Sequence, residues 1–269
     1  MTETQETPDP SGQYVQSLAR GLSVIRAFSS DHPQMTLSEV ARETGLTRAT
    51  ARRFLLTLVE IGYVRTDGRQ FALTARVLEL GYSYLSGLSL PELAQPHLEH
   101  LSADLHESTS ASVLDGHDVV YVARVPTRRI MSVGINLGTR FPAYATSMGR
   151  VLLSGLKEEE LEAYLTTAEL RPLTPNTIYD PEALRGAVAR VREQGYASVK
   201  EELEVGLRSM AAPVHDRDGR IIAAINVSMQ VSPTTDVDEA YLPLLLAAAG
   251  RIERDVAAAK PISTLMLRP

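Results

Sequence analysis

The sequence predicts a two-domain α+β protein: an N-terminal winged helix-turn-helix, a linker helix, and a C-terminal mixed α/β domain. Three observations carry that reading. Charge divides the chain, with nine arginines against six acids over residues 13–90 and 18 bases against 24 acids over residues 91–269. Two short helical patterns meet at Gly45 and are followed by an Asp67-Gly68 turn. From Ser110 onward, short alternating runs interrupt the helical period,.

The first helix is read from Leu18, Leu22, Val24, Ile25 and Phe28, with Pro33 as its breaker,. In "TLSEVARETG", Thr36 and Glu39 have the spacing of a capping box, and Leu37, Val40 and Ala41 give the buried stripe,. Gly45 stands where a helix ends in the left-handed region. Thr47 then caps a third helix, whose seam is Ala51, Phe54, Leu55 and Leu58,. The opposite face carries Ala49 and Arg53, flanked by Thr50 and Arg52, with Arg48 in the first turn. Two short helices joined by a tight turn, the second presenting arginines, describe a helix-turn-helix. The runs Tyr63–Arg65 and Gln70–Leu73 around Asp67-Gly68 form a wing bearing Arg65 and Arg69,.

That arrangement predicts binding to double-stranded operator DNA through Thr47, Arg48, Ala49, Thr50, Arg52, Arg53, Arg65 and Arg69. Thr50 and Arg53 are the candidates for base edges, because arginine reads guanine bidentately and threonine meets thymine methyls. Arg48, Arg52, Arg65 and Arg69 are assigned to phosphates.

The expected divisions are a disordered tail at 1–12, the DNA-binding domain at 13–75, a linker helix at 76–90, the acidic body at 91–260 and a tail at 261–269. A linker exposing tyrosines and leucines favours self-association, and reading two half-sites needs two copies. In the body, "SASVLDGHDVVYVARV" predicts a hairpin around "DGHD", and "IMSVGI" a third strand. "KEEELEAYL" and "DPEALRGAVARVREQGY" predict amphipathic helices. "SMAAPVHDRDGRIIAAINVSM" predicts a second hairpin, and a long helix runs from about Asp236 to Ala259. One mixed sheet is expected.

Composition excludes several classes. There is no cysteine, hence no disulfide, zinc–thiolate site or cysteine nucleophile,. The acidic start lacks an apolar segment and reads as no signal peptide. No apolar run is long enough for a membrane helix, so a cytoplasmic protein with no membrane partner is expected. No glycine-rich phosphate loop or nucleophile elbow is present. A bifunctional enzyme with a regulatory winged helix, of the biotin-ligase type, lacks its nucleotide loop here. His97, His100 and His106 read as surface histidines, "KEELE" (200–204) as an exposed charged loop, and His215 and Asp216 as turn residues. No cofactor, metal or catalytic residue is expected. Thr146 and Ser147 stand at a helix N-terminus, which favours an anion, and Arg208 and Ser209 in "GLRSM" are available beside them.

From about Tyr14 to Ala259 the chain resembles the IclR family of bacterial transcriptional regulators. The resemblance rests on "SLARGLSVIRAF", "LSEVARETGLTRATARRFLLTLVEIGYV" and "FALTARVLELG", then "PAYATSMGRVLL", "REQGYASVKEELEVGLRSMAAPV" and "GRIIAAINVS". It is strongest toward the PcaR/PcaU/PobR-type subgroup, through "RFPAYATSMGRVLL" and "ELEVGLRS". The resemblance implies a GAF-like effector domain, a dimerising linker, and assembly as a dimer or a tetramer of two dimers. It also implies control of protocatechuate catabolism through the β-ketoadipate pathway, with a small carboxylate effector such as β-ketoadipate or a protocatechuate-like acid. Its pocket falls on Ala145, Thr146, Ser147, Met148, Leu207, Arg208, Ser209, Asn226 and Ser228. Where many relatives have an acidic pair and a cysteine, this chain has Val199, Lys200 and Ser209. Lys200 is thereby expected to suit a dianionic ligand.

Overall fold

The computed structural model describes residues 14–29, 32–80, 90–127, 135–231 and 237–259. The chain divides into two compact units, Met1–Tyr84 and Leu85–Pro269.

The N-terminal unit runs α1 (Gln16–Arg26), β1 (Gln34–Thr36), α2 (Leu37–Thr44), α3 (Arg48–Glu60), β2 (Val64–Thr66) and β3 (Gln70–Leu73). Its three strands pair in the order β1-β3-β2, all antiparallel. The sequence reading missed β1. Three residues are too few to show a period, and Thr36 serves twice, pairing with Gln70 and capping α2. The cap is the reciprocal one expected: the Thr36 N–H donates to Glu39 Oε2 at 2.7 Å, and Thr36 Oγ1 accepts from the Glu39 N–H at 3.4 Å,. Gly45 sits at φ 65°, a left-handed turn that hands the chain to α3,.

The core of this unit is Val24, Phe28, Met35, Val40, Leu55, Leu58, Val64 and Phe71. Two residues of the expected α1 stripe depart from it. Leu18 and Leu22 are 64% and 48% exposed, beside exposed Tyr14 and Val15. Past the wing, a 3-10 turn at Ala75–Val77 leads into helix at 78–80. Most of the expected linker, residues 81–89, lies outside the described residues. Arg76 anchors this exit by donating to Ile61 O at 2.9 Å and covering the Tyr63 ring.

The C-terminal unit runs α4 (Leu90–Leu105), β4 (Ser108–Asp115), β5 (Asp118–Val125), β6 (Arg140–Pro142), α5 (Ser147–Ser154), α6 (Glu158–Thr167), α7 (Pro181–Gln194), β7 (Ala197–Lys200), β8 (Leu207–His215), β9 (Ile221–Gln230) and α8 (Val237–Ala258). The strands form one sheet in the order β6-β5-β4-β9-β8-β7. Every described pairing in it is antiparallel, so the expected mixed sheet is corrected. Tight hairpins join β4 to β5 and β8 to β9, and β9 returns beside β4, so no parallel crossover arises. The predicted strand "IMSVGI" falls almost wholly outside the described residues.

Each sheet face has its own core. Leu98, Leu101, Ile225, Val227, Leu245 and Ile252 lie in the one shared with α4 and α8. Tyr121, Val151, Leu153, Leu184 and Ala224 lie in the one shared with α5 to α7. A β-bulge interrupts the alternation of β5. Ala111 pairs with Ala123 but Ser112 pairs with Tyr121, leaving Val122 as the extra residue,. Val122 and Ala123 consequently both join the α4/α8 core, and Arg124 pairs with Ser110.

Candidate functional site

On the N-terminal unit, α3 keeps Ala51, Leu55 and Leu58 inward, so the face opposite them is free for recognition. Thr47, Arg48, Ala49, Arg52 and Arg53 are exposed, as are Arg65 and Arg69 on the wing. Thr50 is half-buried, and its hydroxyl lies 2.9 Å from that of Thr47, which caps the helix through the Thr50 N–H at 3.2 Å. The Thr50 hydroxyl is thus engaged in the cap. No carboxylate ion-pairs with Arg48, Arg52, Arg53, Arg65 or Arg69 among the described residues. The wing is held by Asp67, whose carboxylate accepts from the N–H groups of Arg69 and Gln70 at 2.9 and 2.7 Å. Those donors hold its carboxyl below the usual range,. The result is a set of charge-ready side chains on rigidly capped supports.

The C-terminal unit contains a narrow pocket with about 350 Å³ of atom-free space, including its mouth. The N-terminus of α5 forms one wall. Thr146 caps that helix, its Oγ1 accepting from the Gly149 N–H at 3.0 Å. A Cβ on Gly149 would lie 2.0 Å from Ala143 O, so only glycine lets the helix press against the 143–145 turn,. Ser147 is fully buried, and its Oγ has no hydrogen-bond partner. The sheet supplies the floor through Tyr121, Ser209, Asn226 and Ser228. Asn226 Nδ2 donates to Ser228 Oγ at 2.9 Å, while Asn226 Oδ1 is buried without a donor. Burial pushes the Tyr121 hydroxyl up to about 12, so it stays protonated and able to donate,.

Of the pocket residues expected, Ala145, Thr146, Ser147, Leu207, Ser209, Asn226 and Ser228 come together as walls. Met148 instead packs into the core beneath α5, and Arg208 is half-buried outside the wall. The walls also include Tyr121, Val199, Glu202 and Leu203, which the sequence reading did not assign. Lys200 is corrected. Strand alternation turns Val199 into the pocket and leaves Lys200 exposed, so its charge does not serve the ligand space,.

The "KEELE" segment is corrected too. Glu202 is 7% exposed and accepts from Arg150 Nη2 at 2.5 Å and the Ile178 N–H at 3.0 Å. Thr174 and Thr177 hold the neighbouring backbone carbonyls. Nothing in one sequence links residues 52 positions apart, so this pair had no signal there. His97 is likewise no free surface histidine, since its Nε2 lies 2.7 Å from Asp255 Oδ2 on α8. His215 Nδ1 meets Glu253 Oε1 at 2.5 Å, again tying the sheet to α8. His100 and His106 are exposed.

Comparison with known proteins follows the same division. Residues 17–68 match the IclR helix-turn-helix domain, and residues 82–254 match the bacterial transcriptional regulator IclR C-terminal domain. The chain is 43% identical over 246 residues to the Pca regulon regulatory protein of Pseudomonas putida, spanning 90% of this chain and 84% of that one. It is 40% identical over 247 residues to the p-hydroxybenzoate hydroxylase transcriptional activator of Acinetobacter baylyi, spanning 89% and 91%. A crystal structure of an IclR homolog from Microbacterium hydrocarbonoxydans, complexed with 4-hydroxybenzoate, superposes with a TM-score of 0.81 at 29% identity, covering 90% of this chain and 100% of that one.

Proposed function

The chain belongs to the IclR family of DNA-binding transcriptional regulators, and we propose that it controls an operon for aromatic-acid catabolism, of the protocatechuate and β-ketoadipate kind. It is a regulator and not an enzyme. Its operator affinity responds to a small carboxylic acid held in the pocket between the sheet and the N-terminus of α5. One observation carries the ligand reading: Ser147 Oγ and Asn226 Oδ1 are buried and unpartnered around one pocket. A buried polar atom left unsatisfied costs about 1–3 kcal/mol. A ligand supplying one acceptor and one donor removes that cost, and the helix end adds first-turn N–H groups as further donors to the ligand's oxygens. The relatives named for the Pca regulon and for p-hydroxybenzoate hydroxylase, and the homolog holding 4-hydroxybenzoate, support an aromatic acid or its ring-cleaved product.

Calorimetry tests this with protocatechuate, 4-hydroxybenzoate and β-ketoadipate, each against the wild type and Ser147→Ala. Binding of at least one acid, weakened in the variant, is expected. Heat from none of them defeats the pathway reading and leaves DNA binding standing.

On DNA, Arg53 reads a base edge and Arg48, Arg52, Arg65 and Arg69 hold phosphates. Arg53→Ala should relax sequence preference, whereas Arg65→Ala should weaken all sequences and flatten the salt dependence. Equal loss of specificity in both variants overturns that division. The protein acts in the cytoplasm as a homodimer or a dimer of dimers. The exposed apolar side chains Tyr14, Val15, Leu18 and Leu22 support self-association,. Sedimentation of Leu18→Glu, expected to shift toward monomer, checks it.

A further inference from the structure

We propose that Arg124, on β5, is the carboxylate anchor of this pocket, fixing a two-ended acid with its carboxylate over β4 and β5 and its far polar group at Ser147. The assignment rests on the pocket reading above and adds a residue outside its walls.

The sheet register places Arg124 there. Arg124 pairs with Ser110, and Ser110 pairs with Asn226, so the three stand in one row across β5, β4 and β9. Asn226 is a wall of the pocket. Ser110 is turned to the same face, because its neighbour Thr109 faces the other way and donates to Leu98 O on α4,. Two strand spacings separate Arg124 from Asn226, about 10 Å, enough for a ring or a six-carbon chain.

The guanidinium leans along that row toward the pocket. Arg124 Nη1 donates to Ser110 Oγ at 3.0 Å, which brings the head group from β5 over β4. Its Nε is buried and has no acceptor, and Ser112 Oγ, on the next row beside Tyr121, is also buried and unpartnered. No carboxylate pairs with Arg124 among the described residues. Burial lowers the guanidinium's proton affinity, with Tyr121 opposing weakly, so the charge is held at a cost,. Arginine's planar fork matches a carboxylate, and a ligand carboxylate supplies the missing acceptor and the counter-charge together.

The contrast with Arg150 sharpens the case. Arg150, on α5 against this face of the sheet, is buried more deeply, and Glu202 neutralises it. Arg124 has a serine hydroxyl and, among the described residues, no counter-charge.

Titration of the full-length protein with protocatechuate and with its neutral amide, protocatechuamide, tests the proposal. The wild type should prefer the acid by about 10–100-fold, the range of a charge-assisted hydrogen-bond pair. Arg124→Gln should lose that preference while keeping its affinity for the amide. Ser147→Ala should weaken acid and amide alike. Without ligand, Arg124→Gln should melt at or above the wild-type temperature, since it removes an uncompensated charge; a purely structural arginine would lower it. Acid preference retained in Arg124→Gln overturns the proposal, and so does a wild type that binds both compounds equally. Should Arg124→Gln not fold, Arg124→Lys decides, with acid affinity expected to fall at least several-fold and unchanged affinity counting against the anchor. Wild-type protein that binds neither compound overturns the proposal, whereas the pocket reading itself falls only when 4-hydroxybenzoate and β-ketoadipate also fail to bind.

Discussion

The two faces of the six-stranded sheet are made by the same strands and obey opposite rules. Toward α4 and α8, β9 presents Ile225 and Val227, fully buried against Leu98, Leu245 and Ile252. One residue along the strand, toward α5, it presents Asn226 and Ser228, and β4 beside it presents Ser110 and Ser112. Along β9 the first face is apolar. The second, beside its own apolar core, keeps Ser112 Oγ and Asn226 Oδ1 buried without a partner among the described residues. Unpartnered polar atoms cost folding energy that aliphatic side chains in their place would not, so the two faces differ in what they contribute to stability,.

Substitutions on the two faces should therefore behave oppositely, and chemical denaturation of each variant reads the contrast. The largest loss is expected for Glu202→Ala, about 3–5 kcal/mol, because it strands the buried Arg150 charge; a loss under 1 kcal/mol would show that the polar face carries no essential ion pair,. Ile225→Ala should cost about 2–5 kcal/mol through the cavity it opens in the first face,. Ser112→Ala, two strands' width from the pocket's far wall, should change stability by less than about 1 kcal/mol in either direction, since its hydroxyl has no partner to lose,. A cost as large as that of Ile225→Ala would erase the distinction between the faces.

The N-terminal unit provides the reference in which local polar groups are satisfied. Thr36→Ala should cost about 1 kcal/mol by removing the cap of α2,. The smallest effect is in pH. The Thr36 backbone N–H and hydroxyl hold the Glu39 carboxyl below 4.5. A depressed carboxyl contributes stability that is present above its unfolded value and is lost as pH falls through its folded value. Acid titration should then show the wild-type unit losing stability below about pH 4.5 more steeply than Glu39→Gln.

Local chemistry was legible in the sequence; long-range pairing was not. The Thr36–Glu39 box, Gly45, the Thr47 cap and the Asp67-Gly68 turn each depend on residues within four positions, and each is found. Ser147 and Asn226 were placed through resemblance to a family, since nothing near them in the chain indicates a shared cavity. Lys200 was misassigned because its facing depends on strand phase, which one residue reverses. Glu202 was misread because its partner Arg150 lies on another element. Arg124 was passed over altogether: simple alternation from Tyr121 sends it to the α4/α8 face, and only the extra residue at Val122 brings it back,.

That extra residue has a consequence for reading relatives of this chain. Residues before Val122 and residues after it keep different parity with respect to the sheet, so a position-by-position alignment that ignores the bulge will compare pocket residues with core residues. Deleting Val122 alone would restore plain alternation and leave Ala123 opposite Ala111 and Arg124 opposite Ser110, so the bulge takes up one residue of length without turning either neighbour over,. A single-codon insertion or deletion at this point of β5 can therefore be absorbed by the strand with the facing of every residue on either side left as it was,.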